Sequence, residues 1–160
     1  VIGHKIHRPL TAFGSHVFYN HSTRFSALIE KRLDIQFLER EQLFRECDII
    51  FVQLPLTAAT ENLITDKELA VAQPHLVLIN CGRAAVINKA ALSHALRTQQ
   101  IAYYGADVFW REPMPLWDRF RVMRNVCITP HLSESVTDRI PHDRHIAKTL
   151  DQLVRTIDAS

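Results

Sequence analysis

No apolar run in this 160-residue chain approaches the ~20 residues that a membrane-crossing helix requires, so a bilayer-spanning segment is not expected. Charge of one sign is equally scarce. Nineteen Lys and Arg oppose 17 Asp and Glu, for a net charge of +2, and the cations are scattered. That pattern lacks the basic stripe that nucleic acid demands. Cysteine is sparse too: Cys47, Cys81 and Cys127 are odd in number and widely spaced, which excludes a disulfide framework. Nothing at the start has the pattern of a secretory signal, so a reducing cytoplasm is the expected compartment. Repeats, low-complexity tracts and Gly/Ser linkers are also missing. What remains is 47% hydrophobic and 22% charged, the composition of a globular domain able to bury roughly two-thirds of its unfolded surface.

The order of the chain points to an α/β fold. From Cys47 onward, short apolar runs alternate with helical patterns: Asp48 to Val52, then Asp66 to Ala72, then His75 to Ile79. This is the βαβ rhythm of a parallel sheet. Asn88 is placed to cap a helix over Lys89 to Arg97, whose Ala91, Leu92, Ala95 and Leu96 recur at helical spacing. Ile101 to Ala106 reads as the next strand. Earlier, Phe13-Gly14 closes a helix, His16 to Tyr19 is a strand, Arg24 to Arg32 a helix and Ile35 to Phe37 a short strand. In the tail, Ile146, Leu150, Leu153 and Ile157 fall on one helical face, predicting a last amphipathic helix.

Three strand-like runs end in reactive side chains. They are Leu78-Ile79-Asn80-Cys81-Gly82-Arg83, then Gly105-Ala106-Asp107-Val108-Phe109-Trp110-Arg111-Glu112-Pro113, and finally Val126-Cys127-Ile128-Thr129-Pro130-His131. In an open α/β sheet, ligands sit outside the carboxyl ends of the strands. A guanidinium, a carboxylate and an imidazole gathered there form a candidate active site.

Together with Leu54-Pro55-Leu56-Thr57 and Thr60, these runs resemble the D-isomer-specific 2-hydroxyacid dehydrogenases, over nearly the whole chain. The resemblance implies a Rossmann-type doubly wound parallel sheet, in which NAD or NADP and an Arg, Glu and His trio interconvert small 2-oxo and 2-hydroxy acids. On that resemblance Arg83 binds and polarises the substrate, His131 is the general acid/base, and Glu112 supports His131. Each role suits its residue type. A guanidinium forks onto a carboxylate, an imidazole exchanges protons near neutral pH, and a neighbouring carboxylate orients the ring. Asp107 would hold the nicotinamide carboxamide, while Leu54, Pro55, Thr57 and Cys81 would line the cofactor. Cys81 is expected to be a small buried residue with no nucleophilic role, no metal site is expected, and Trp110 and Trp117 are read as packing residues or pocket walls.

The chain also departs from the family pattern. The dinucleotide fingerprint is a strand followed by G-x-G-x-x-G, and here only Gly3, on the third glycine, is matched. The preceding strand is central in the usual 3-2-1-4-5-6 order, so a gap is expected between the strands near His16 to Tyr19 and Asp48 to Val52. Pro9 makes the first helix suspect. Residues 1–135 read as the cofactor-binding domain, incomplete at its amino end, and 136–160 as a helix that would complete a substrate domain. The chain is thus expected to be a fragment of a longer enzyme, a homodimer when full length, or a truncated and inactive binding module. Where the family places an acidic residue for the adenosine ribose, this chain has His21-Ser22-Thr23-Arg24. With no carboxylate in that run and Ser22, Thr23 and Arg24 able to take a 2′-phosphate, NADP is favoured over NAD.

Overall fold

The computed structural model describes residues 2–131, with side chains from Ile6 onward. The helix expected over 136–160 lies outside the described residues. Six strands and five α-helices follow one another as α1 (Ile2–Ala12), β1 (Val17–Tyr19), α2 (Ala27–Leu33), β2 (Ile35–Phe37), α3 (Arg40–Glu46), β3 (Ile49–Val52), α4 (Asp66–Ala70), β4 (Val77–Asn80), α5 (Lys89–Arg97), β5 (Tyr103–Ala106) and β6 (Val126–Ile128). Every strand pairing is parallel.

The strands form two sheets, β1-β2 and β3-β4-β5-β6. This is the expected break: β1 and β3 each keep one ladder edge without a strand partner among the described residues. On the open β3 edge, Ile49 and Phe51 remain exposed, whereas a strand paired on both sides and covered by helices buries such residues.

The buried core belongs to the larger sheet. Phe44, Leu69, Leu76, Leu78, Val86, Ile87, Leu92, Leu96 and Ile101 are all essentially sealed from solvent. Full burial of one such side chain contributes roughly 1.5–3 kcal/mol, so this cluster is the main source of cohesion. The apolar stripe of α5 supplies four members, Ala91, Leu92, Ala95 and Leu96. Asn88 starts that helix as expected, its side chain accepting from the Ala91 N–H at 3.0 Å. At α4, Thr65 and Glu68 form a reciprocal capping box, and the buried Glu68 carboxylate also meets Arg40 Nε at 3.0 Å.

Several boundaries differ from the sequence reading. The helix expected from Arg24 begins at Ala27, because Ser26 takes the extended cap conformation and the Arg24 side chain pairs elsewhere. Pro9 does not interrupt α1. That helix instead ends on the left-handed Gly14 (φ 82°), with Ser15 N–H donating to Leu10 O and Gly14 N–H to Thr11 O. This is the Schellman arrangement, which satisfies carbonyls the helix end would otherwise leave free. Helix α3 was not foreseen, although Glu39 and Gln42 cap it reciprocally.

Candidate active site

The larger sheet ends on a single line. Val52 pairs with Asn80, Asn80 with Ala106, and Ala106 with Ile128, so four parallel strands deliver their following loops to the same edge. Those loops carry Leu54 to Thr60, Cys81 to Arg83, Asp107 to Glu112, and Thr129 to His131.

Glu112 and His131 meet there. The His131 Nδ1–H donates to Glu112 Oε2 at 2.7 Å, while the Phe109 backbone N–H donates to the other carboxylate oxygen at 3.0 Å. Both oxygens are thereby fixed and the ring is oriented through Nδ1. The His131 contact, helped by Phe109 and the nearby positive charge of Arg83, holds the Glu112 carboxyl below its usual range against a smaller opposing effect of burial. His131 itself sits in the left-handed region (φ 50°), uncommon for a residue with a side chain and a conformation the surrounding loop must impose. A cleft of about 500 Å³ opens beside the pair, lined also by Phe109, Met114, Ile128 and Arg121.

Arg83 follows β4 on a tight turn. Its guanidinium lies near enough to influence Glu112, and one of its terminal nitrogens donates to Gly82 O at 2.9 Å. Gly82 is pressed against the loop after β3: a Cβ there would stand 2.8 Å from Leu54 O and 2.9 Å from Leu54 N. Only glycine fits. Within the Leu54–Thr60 loop, Thr60 Oγ1 accepts from the Thr57 N–H at 2.8 Å and donates to Pro55 O at 2.6 Å, closing the loop on itself.

Asp107 is nearly fully buried and accepts from Thr129 Oγ1 at 2.5 Å. Thr129 thus ties the histidine loop to β5, a contact the sequence reading missed. Cys81 is half-buried rather than buried as expected, and its burial, reinforced by the Asp107 charge, pushes the thiol up, so a thiolate is disfavoured. Trp110 packs, with its indole N–H donating to Ile87 O at 2.9 Å, whereas Trp117 is 80% exposed.

The residues expected at the adenosine end lie in the separate small sheet. His21, Ser22 and Thr23 follow β1 in an exposed turn held by His21 Nδ1, which accepts from the Thr23 N–H at 3.2 Å. Arg24 requires a correction. No carboxylate is adjacent to it in sequence, but α2 brings Glu30 back, and its two oxygens take Arg24 Nε at 2.8 Å and a terminal nitrogen at 3.0 Å. Tyr19 OH donates to the same carboxylate at 2.7 Å. The Arg24 bonds, then the Tyr19 bond, lower Glu30 from 4.5 to about 2. Gly3 lies in the first turn of α1.

A parallel sheet with a cleft at its carboxyl edge, an oriented imidazole and an adjacent guanidinium defines a dinucleotide-binding domain of the Rossmann type. More specifically, residues 1–133 match the family model for the D-isomer specific 2-hydroxyacid dehydrogenase NAD binding domain, and the chain belongs to that family. It is similar to a glyoxylate reductase of Aeropyrum pernix, 35% identical over 137 residues, which covers 86% of this chain and 41% of the relative. Among solved structures, Granulicella M. formate dehydrogenase matches with a TM-score of 0.79 and 31% identity over 84% of this chain and 36% of that one. The NADPH-dependent glyoxylate/hydroxypyruvate reductase of Sinorhizobium meliloti, in complex with NADP and sulfate, matches with a TM-score of 0.70 and 26% identity, covering 81% of this chain and 42% of that one. This chain therefore spans about two-fifths of the curated relatives' length.

The residues present fit the nicotinamide end of such a cofactor. Asp107 is a buried carboxylate that accepts from Thr129, with Cys81 close by, a group of the type that would accept from a carboxamide N–H.

Proposed function

We propose that this chain is the cofactor-binding part of an NAD(P)-dependent reductase acting on small 2-oxo acids such as glyoxylate or hydroxypyruvate. The single observation that carries the reading is the 2.7 Å contact between His131 Nδ1 and Glu112 Oε2, with the Arg83 guanidinium close to the same carboxylate. Residues 1–135 form the cofactor domain, and 136–160 belong to the substrate side.

A nicotinamide held beside Asp107 would supply the hydride chemistry of the reaction. Arg83 binds the substrate carboxylate in a planar fork and draws electron density from the neighbouring ketone. As charge grows on that oxygen, His131 delivers the proton from Nε2, the ring nitrogen not engaged in the Nδ1 bond to Glu112. Glu112 keeps the ring in the productive orientation and favours its protonated form until transfer. In the oxidising direction the same imidazole accepts the proton. Asp107 would hold the carboxamide, and Leu54, Pro55 and Thr57 would wall the cofactor, with Gly3 towards its phosphate end. His21, Ser22, Thr23 and Arg24 receive the adenosine side, where NADP is favoured over NAD because Arg24 is a cation placed for a 2′-phosphate once it parts from Glu30.

The test is steady-state turnover of glyoxylate by the full-length protein carrying Arg83→Ala, Glu112→Gln or His131→Ala. Each is expected to lower kcat/KM by roughly 10²–10⁴-fold while leaving the cofactor Kd within about threefold. Unchanged turnover in all three variants would overturn the assignment.

A further inference from the structure

Asn80 is the last residue of β4 and fully buried, yet its polar side chain faces a turn that carries chemistry. Burying an amide without partners would cost several kcal/mol, so both of its ends must be engaged. They are. Asn80 Oδ1 accepts from the Gly82 N–H at 3.0 Å, and Asn80 Nδ2 donates to Arg83 O at 3.2 Å. The orientation of the amide is unambiguous, because a backbone N–H needs the oxygen and a backbone carbonyl needs the nitrogen. One side chain therefore grips both ends of the Gly82-Arg83 peptide segment. Opposite it, the Leu54 main chain closes against Gly82 with no room for a Cβ. The main chain of Asn80 adds a third tie, its carbonyl accepting from the Asp107 N–H at 3.2 Å.

We infer that Asn80 is a positioning residue for Arg83: by clamping the turn at its Gly82 N–H and Arg83 carbonyl, it sets where the guanidinium stands relative to His131. The inference rests on the reading of Arg83 as the substrate anchor. Asn80 touches no reacting atom and acts only through the backbone of its neighbours. A Cα set off by as little as 1 Å displaces a long side chain at its tip by more, and misplacements of that size cost on the order of 10²-fold in rate.

The experiment is a double-mutant cycle on the full-length protein, with Asn80→Ala, Arg83→Ala and the pair, reading kcat and KM for glyoxylate and Kd for the cofactor. Asn80→Ala alone is expected to lower kcat/KM about 10–100-fold with a raised KM, while the cofactor Kd stays within about threefold. In the Arg83→Ala background the same change should cost less than about threefold, since no guanidinium remains to be misplaced. An equal loss in both backgrounds, a parallel loss of cofactor binding, or no loss at all would overturn the inference. Asn80→Asp preserves size and the acceptor for Gly82 while removing the donor to Arg83, and is expected to show a smaller rise in KM. Failure of both variants to fold would assign Asn80 to the core and overturn it as well. Arg83→Ala with normal turnover would refute the substrate-anchor reading itself, an outcome separate from these.

Discussion

Gly82 and Gly105 lie one strand apart, and alanine at the two positions is expected to act in opposite directions. At Gly82 a Cβ would meet Leu54 O at 2.8 Å, Leu54 N at 2.9 Å and Val52 O at 3.3 Å, all of them main-chain atoms that cannot swing aside. Forcing a methyl into such a site costs about 1–3 kcal/mol. Alanine also restricts the unfolded chain, an offset of roughly 0.4–1 kcal/mol wherever the native backbone suits it. The balance for Gly82→Ala is thus a destabilisation of roughly 1–2 kcal/mol. At Gly105 the nearest atoms are the Ile79 side-chain carbons at 3.7 and 3.9 Å, ordinary contacts, so only the favourable offset remains. Urea unfolding of the full-length protein should show the Gly82→Ala midpoint falling by about 0.5–1 M and the Gly105→Ala midpoint holding or rising slightly. Turnover should fall with Gly82→Ala alone, because relief of the clash shifts the turn bearing Arg83. Equal midpoints for the two variants would refute the steric argument, and a Gly82→Ala enzyme with normal stability and activity would refute the view that the turn is held by close packing.

Two further outcomes follow from the small sheet. Arg24→Ala should weaken NADP(H) binding by about tenfold or more, the loss of charge-assisted bonds to a phosphate, while NAD(H) affinity stays within about twofold; equal changes in the two dissociation constants would end the case for NADP. Glu30, lowered to about 2 from 4.5, has a folded-state value below its unfolded one, so its contribution to stability is fully present above about pH 4.5 and is lost as pH falls toward 2. Acid denaturation of Glu30→Gln should therefore lack that part of the decline, and a profile identical to the wild type would show that the Arg24 and Tyr19 contacts add nothing.

The strand ends were legible because buried parallel strands are written as unbroken apolar runs, and a reactive residue just beyond one is conspicuous. Val77 to Asn80 and Val126 to Ile128 are instances, and the cap at Asn88 follows from equally local chemistry. The break between β1 and β3 was expected from comparison with the family pattern. What escaped notice was contact across space or through side chains. Glu30 returns to Arg24 only because α2 starts three residues late, and Asn80 was read as part of a motif when its amide is the brace of the turn. An Asn two residues before a strand-end Gly is itself a turn-forming signal. Pro9 misled in the other direction, since the rule for helix interiors is a tendency that a well-terminated helix can absorb.

Among the described side chains, every sealed apolar residue except Leu38, which follows β2, lies on the four-strand side of the break. The described residues thus divide into a well-covered part, which carries Arg83, Glu112 and His131, and a less covered part around β1 and β2. The densest packing lies beneath the candidate site, and the sparsest beside His21 to Arg24. Segments with fewer sealed contacts open at lower free-energy cost, so amide protection is expected to be weaker around β1 than around β4.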